Sequence, residues 1–189
     1  HSAIIAGVKI PYGDRRVKDD QGFLFEADDQ PGTGSWEPFV GLALSKGFKH
    51  LSLDANGLYR FSTRGTLVII VGDMASFNIA VSQRVTNRYL KKIFIEKLSN
   101  KTLDWDLILE ANGHWSEKPE FNINLPFGHT SFRDENHGGL LIYLTPGMRV
   151  IFDKEWITNF AVSLPLVEFL NGRQRAPSVR LVFGLTRIF

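Results

Sequence analysis

The chain has 189 residues, 43% of them hydrophobic, and carries 22 Lys and Arg against 20 Asp and Glu for a net charge of +2. That length suits a single domain spanning 1–189, and the near balance of charge leaves no electrostatic footprint for nucleic acid. The absence of Cys excludes a disulfide framework, a thiolate metal site and a cysteine nucleophile, and the longest apolar run, Leu67 to Val71, falls far short of the roughly 18 residues a transmembrane helix needs.

In chain order, the opening segment 2–11 reads as a strand with no initiator Met and no signal-peptide pattern ahead of it, as expected of a processed chain. A long connection, 12–34, follows. It gathers Asp19, Asp20, Glu26, Asp28 and Asp29, hard oxygen ligands that make a weak calcium candidate without EF-hand spacing. The structural alternative is an outer loop whose Pro31-Gly32 and Gly34 set a tight turn ahead of Trp36.

Segment 35–46 is the second strand, and after the short GFKH turn the third, 51–62, alternates cleanly. Leu51, Leu53, Ala55, Tyr59 and Phe61 share one face, and Asp54, Asn56 and Arg60 the other, with Leu58 breaking the pattern. Segment 74–85 repeats it, with Phe77, Ile79 and Val81 opposed to Ser76, Asn78 and Arg84. The basic stretch 86–101 between it and the next strand reads as an extension of both flanking strands around a polar turn near Ser99-Asn100.

In 103–115, Leu103, Trp105, Leu107, Leu109 and Trp115 oppose Asp104, Asp106, Glu110 and His114. Segment 138–153 keeps Leu140, Ile142, Leu144, Met148, Val150 and Phe152 in phase across Pro146-Gly147, so one long strand with a bulge at that dipeptide is expected. The seventh strand, 156–166, and the last, 178–189, follow the same scheme. Eight strands of roughly 10 to 16 residues exceed the usual 5 to 6 and match the 9 to 11 of a tilted bilayer span.

The connections mostly alternate long and short, and an even strand count places both termini on one side, as in an antiparallel up-and-down transmembrane barrel. Alternation alone does not say which face meets water. Three features favour a lipid-facing apolar stripe. The polar faces carry Asp54, Arg60, Arg84, Asp106, Glu110, His114, Arg149 and Arg180 among small residues such as Gly41, Ala43, Ala80 and Gly184, suiting a crowded lumen of paired charges. Aromatics stand near the ends of the apolar faces, with Trp36, Tyr59, Trp105, Trp115, Trp156 and Phe189 as candidates for interfacial girdles. The chain also ends in a Leu181, Phe183, Leu185, Phe189 phase that resembles the C-terminal signature of outer-membrane assembly clients, although Arg187 departs from it.

The stretches GVKIPYG (7–13), QPGTGSW (30–36), LYRFSTRGT (58–66), LEANGHW (109–115), GGLLIYLTPG (138–147) and SLPLVEFLNG (163–172) resemble a family of proteobacterial outer-membrane proteins labelled "transporter" or "MetA-pathway of phenol degradation". The resemblance implies an outer-membrane location, contact with outer-membrane lipid and lipopolysaccharide, and passage of small, hydrophobic or aromatic molecules. It also implies a chain longer at the N-terminus, so that the eight strands belong to a barrel of about ten or twelve.

No Gly-rich phosphate loop, HExxH or G-x-S-x-G occurs. The expectation is therefore a channel, transporter or structural barrel of an envelope assembly with protein partners there, not an enzyme, and without a cofactor. Two alternatives stay open: a lipid-modifying barrel enzyme using His114 with Ser116 nearby, and a soluble β-barrel binding a small apolar ligand.

Overall fold

A computed structural model describes residues 1–25, 30–32, 34–65, 69–85, 103–125, 128–175 and 177–188. The described residues contain strands and no helix. Eight strands form one antiparallel sheet: β1 (Ser2–Lys9), β2 (Glu37–Gly47), β3 (Leu51–Arg60), β5 (Met74–Arg84), β6 (Leu103–Ser116), β9 (Gly139–Phe152), β10 (Trp156–Leu170) and β11 (Arg180–Arg187). Each pairs with its neighbours in the chain. β1 and β11 are the two edges and do not pair with each other. A smaller sheet of β4 (Ile69–Ile70), β7 (Glu120–Leu125) and β8 (Gly128–Arg133) forms within the connections at the long-loop end.

The strands form where the period-2 pattern dictates, because each register step turns a whole row of side chains to one face. At the opposite end the chain reverses tightly. Asp153 and Lys154 take φ of 54° and 60°, and the Glu155 amide donates to the Phe152 carbonyl at 3.2 Å, which makes a type I′ turn of the hand that suits a hairpin.

The register fixes the slope of the strands. Straight across the sheet from Ile5 the partners are Gly41, Leu58, Ser76, His114, Leu141 and Glu168. Continuing the Ser163–Arg180 register from Glu168 leads to position 175, above β11, whose centre lies between Phe183 and Gly184. The strand centres thus slide by about 8 residues over the seven steps, a little more than one residue per strand. With about 3.3 Å per residue and 4.8 Å between strands, the strands tilt by roughly 40° from the normal to the line of their centres, within the 35–45° of barrels.

One expectation is corrected. β9 runs through Pro146-Gly147 without a bulge, and its register to β6 is continuous there. The irregularity lies in the partner strand, where the pairing shifts between Pro165 and Val167 and Leu166 is the extra residue. Pro146 lacks an N–H, but that loss leaves the residue count unchanged, so the ladder loses a bond without losing register.

The expected strand extension over 86–101 lies outside the described residues.

Candidate functional site

The two faces of the large sheet differ sharply in chemistry and in burial. On the outward face Leu42, Leu44, Ile79, Phe160, Leu164 and Phe183 are exposed, as are Leu107 at 55% and Leu109 at 50%. The outward rows of the eight strands hold no Asp or Glu, and their two bases, Lys46 and Arg187, stand at the short-turn end. Each of these rests over an aromatic ring, Lys46 over Phe48 at 5.5 Å and Arg187 over Trp156 at 5.2 Å. The inward face buries polar groups instead: Glu37, Asp106, Thr145 and Ser163 are buried, and Tyr143 is the buried hydrophobic residue among the described ones.

The sequence-derived charges Asp54, Arg60, Arg84, Asp106, Glu110, His114, Arg149 and Arg180 all fall on this inward face, because the register turns their positions to the same side of the sheet. At the short-turn end Arg84 Nε donates to Asp106 Oδ1 at 3.0 Å. Asp106 is only 7% exposed, so its charge is matched where it is most costly to leave alone. Arg149 stands opposite Asp106 in the register, but its Nε donates to Asn159 Oδ1 at 3.1 Å.

Further along, Asp54 accepts from the hydroxyls of Ser45 (2.5 Å) and Ser52 (2.8 Å). Glu110 accepts from the side-chain amides of Asn78 and Asn112. The Thr145 hydroxyl donates to Asn112 Oδ1 at 2.9 Å and lies 2.9 Å from the Ser163 hydroxyl. Asn56, Asn78, Asn112 and Tyr143 occupy one row across four adjacent strands. This is a continuous belt of amides and hydroxyls in which neutral donors, not cations, satisfy the carboxylates.

A second cluster, centred on a residue that sequence reasoning passed over, lies towards the long loops. Glu37 is 2% exposed; its Oε1 accepts from Lys9 Nζ at 3.0 Å and from the Ser35 hydroxyl at 2.8 Å, and Arg60 Nη1 stands 3.3 Å from Oε2 as an ion pair. Arg60 also contacts Met74 Sδ. The signal for Glu37 was its phase, since it shares the inward row with Phe39, Gly41 and Ala43. The guanidinium of Arg180 reaches across the strand carrying Ser163 to lie over the Tyr143 ring at 4.3 Å.

His114 faces inward opposite Ser76 and Leu141, and Ser116 lies one inward position on, opposite Met74 and Gly139. Among the described residues no hydrogen bond joins them, and no nucleophile–base pair forms.

Of the aromatic candidates, Trp36, Trp115 and Trp156 are exposed, and Tyr59, Trp105, Trp115 and Trp156 occupy outward positions near the strand ends. Phe189 lies outside the described residues. The Tyr59 hydroxyl donates to Asp73 at 2.7 Å, which ties its polar tip to the long-loop end while the ring stacks edge-on against Phe61 at 4.8 Å.

Of the calcium candidates, Glu26, Asp28 and Asp29 lie outside the described residues. Asp19 accepts from the amides of Gln21 and Phe23 and so closes its own turn. No group of three or more metal-ligating residues forms among the described ones.

Comparisons with protein-family models, curated proteins and solved structures returned no match. The chemistry of the two faces is what speaks to the role of the chain.

Proposed function

We propose that the chain forms wall of an outer-membrane β-barrel whose polar inner face lines a passage or binding lumen for small solutes. The observation that carries this is the inversion of burial: Leu107 and Leu109 lie open on one side of β6, and Asp106, next to Leu107 in the chain, is buried on the other. A water-soluble sheet gains stability by hiding apolar area at about 25 cal/mol per Å². Eight strands that expose their aliphatic rows together would forgo that gain unless hydrocarbon covers them.

The dimensions support the reading. Trp105 and Trp115 bracket the apolar row of β6 ten residues apart. That is about 33 Å along the strand and roughly 25 Å when projected at 40°, the height of the apolar band in membrane barrels. The outward Lys46 and Arg187, stacked on rings beyond that row, suit residues that reach from hydrocarbon to headgroups. The family resemblance of the motifs at 7–13, 30–36 and 138–147 points the same way. Closure follows either by β1 meeting β11, which run antiparallel, or through an even number of further strands between them.

The absence of Cys makes the test clean. Single cysteines placed at 106, 107, 108, 109 and 110, spin-labelled after reconstitution into vesicles, should alternate between a polar relaxation agent (even positions) and oxygen dissolved in lipid (odd positions). Uniform access to the polar agent, or a protein that stays in water without detergent, would overturn the proposal in favour of a soluble β-barrel.

A further inference from the structure

The inward face does not treat its charges alike. Between the rims its carboxylates, Glu37, Asp54, Asp106 and Glu110, are all buried or half-buried, and each accepts hydrogen bonds from the donors named above. Arg149 and Arg180 are exposed on the same face. The hydrogen bonds of Arg149 go to one amide oxygen, and Arg180 lies over a ring, which occupies the face of the guanidinium and leaves its N–H edge open. Among the described residues no carboxylate comes within ion-pair distance of either. The oxygens of Asp54, three strands away from Arg149, are taken by Ser45 and Ser52. The exposed inward carboxylate is Glu168, at the long-loop rim, and Asp104 stands at the opposite rim.

We infer that the inner face is selective for anions, with Arg149 and Arg180 as the residues that contact a small carboxylate or halide between the rims. This rests on the reading that the inner face encloses a lumen. The physical reason is an excess of unsatisfied donors. A planar guanidinium offers five N–H groups matched to carboxylate geometry, and one that faces confined water without a fixed counter-ion recruits a mobile one. Solutes met between the rims therefore see two open cations, while the acids are covered by their own serines, asparagines and bases. Arg180 sits near the long-loop end, beside the level of Ser163, and Arg149 lies towards the short-turn end opposite Asn159, so the two make successive stations along the face.

Two measurements decide it. In planar bilayers under a potassium chloride gradient, the full chain should give a reversal potential on the chloride side. R149Q/R180Q should move it to the potassium side, whereas R149K/R180K, which keeps both charges and controls for folding, should retain the chloride preference. A potassium preference of the unaltered chain, or no change in R149Q/R180Q, overturns the inference. A chain that carries no current at all removes the passage reading, and the anion site is then decided in micelles by the arginine side-chain nitrogen resonances. Acetate should shift the signals of Arg149 and Arg180 and leave that of Arg84 in place, and neutral acetamide should shift none. Equal response of all three, or of none, overturns it.

Discussion

At the scale of single residues, Glu37 carries the greatest structural burden. Its carboxylate joins β1 to β2 through Lys9 and, on the other side, β2 to β3 through Arg60. Removing one member of a buried ion pair typically costs about 3–5 kcal/mol, but Lys9 keeps about half of its side-chain exposure and can turn to water. Glu37→Gln should therefore lower unfolding stability in detergent by about 2 kcal/mol. Part of that loss should vanish in the Lys9→Gln background, because the two changes remove one shared interaction. Additive losses would mean that Lys9 and Glu37 are not coupled. In the outer turn, the Asp134 carboxylate is held below its usual range, first by the Asn136 amide at 2.8 Å and then by the His137 ring at 2.6 Å. A group whose folded value is depressed stabilises above its unfolded value, near 3.9, and loses that contribution as pH falls through the folded value. The Asn136 amide proton should thus keep its hydrogen-bonded shift through neutral and mildly acidic pH and lose it only below about pH 4. Loss at higher pH would show that the carboxylate does not hold the turn.

At the scale of elements, the bulge in β10 supplies the sharpest prediction. Pro165 faces inward opposite Tyr143, Leu166 is the supernumerary outward residue, and Val167 and Glu168 resume opposite Ile142 and Leu141. Deleting Leu166 leaves every other residue on its present face, so ΔLeu166 should fold and insert with little loss. Deleting Leu109 from β6, whose register has no bulge to absorb the loss, instead turns one side of that strand over and presents polar residues such as Asp106 or Glu110 outward. ΔLeu109 should fail to reach the compact, heat-modifiable form in detergent, and equal tolerance of both deletions would refute the register. This bulge was legible, since Leu164 and Leu166 give way to Val167 and Phe169, a change of phase at one step. The alternation that starts at Trp156 breaks after Leu166, however, and Pro146-Gly147 is the stronger punctuator, so the expected irregularity falls on β9 instead. The eight long strands were readable because alternation over ten or more residues is hard to produce otherwise. β7 and β8 were not read, although Phe121 and Ile123 alternate with Asn122 and Asn124, because six-residue runs inside a long connection look like loop. The pairing of each inward carboxylate was illegible for a different reason: sequence gives the face, whereas the partner depends on register across strands, so that Glu110 meets two asparagines rather than an arginine.

At the scale of the whole molecule, the outward rows form one apolar surface. It runs from Ile4 on β1 through Leu42, Ile79, Leu109, Leu144 and Phe160 to Leu181, which is 74% exposed. What covers that surface sets the cost of a charge placed on it. In water, an arginine at an exposed strand position with neighbours on both sides changes stability by about 0.5 kcal/mol or less. In a bilayer the cost depends on depth, about 2–4 kcal/mol at the midplane and about 0–1 near the interface. Leu109 lies at the middle of β6 and Trp105 near its short-turn end, both on the outward face, so Leu109→Arg and Trp105→Arg sample the two depths on one strand. Loss of the tryptophan ring removes packing of its own, which Trp105→Leu measures and which is subtracted. Folding titrations into phosphatidylcholine vesicles should show Leu109→Arg less stable by about 2–4 kcal/mol, with the charge at position 105 costing about 1 kcal/mol or less. A neutral Leu109→Gln should fall between the charged variant and the native chain, because an unpaired amide in hydrocarbon is costly but less so than a guanidinium. Equal and small effects at both depths would mean that water, not lipid, meets the aliphatic rows, and the proposed orientation of the sheet would fail with them.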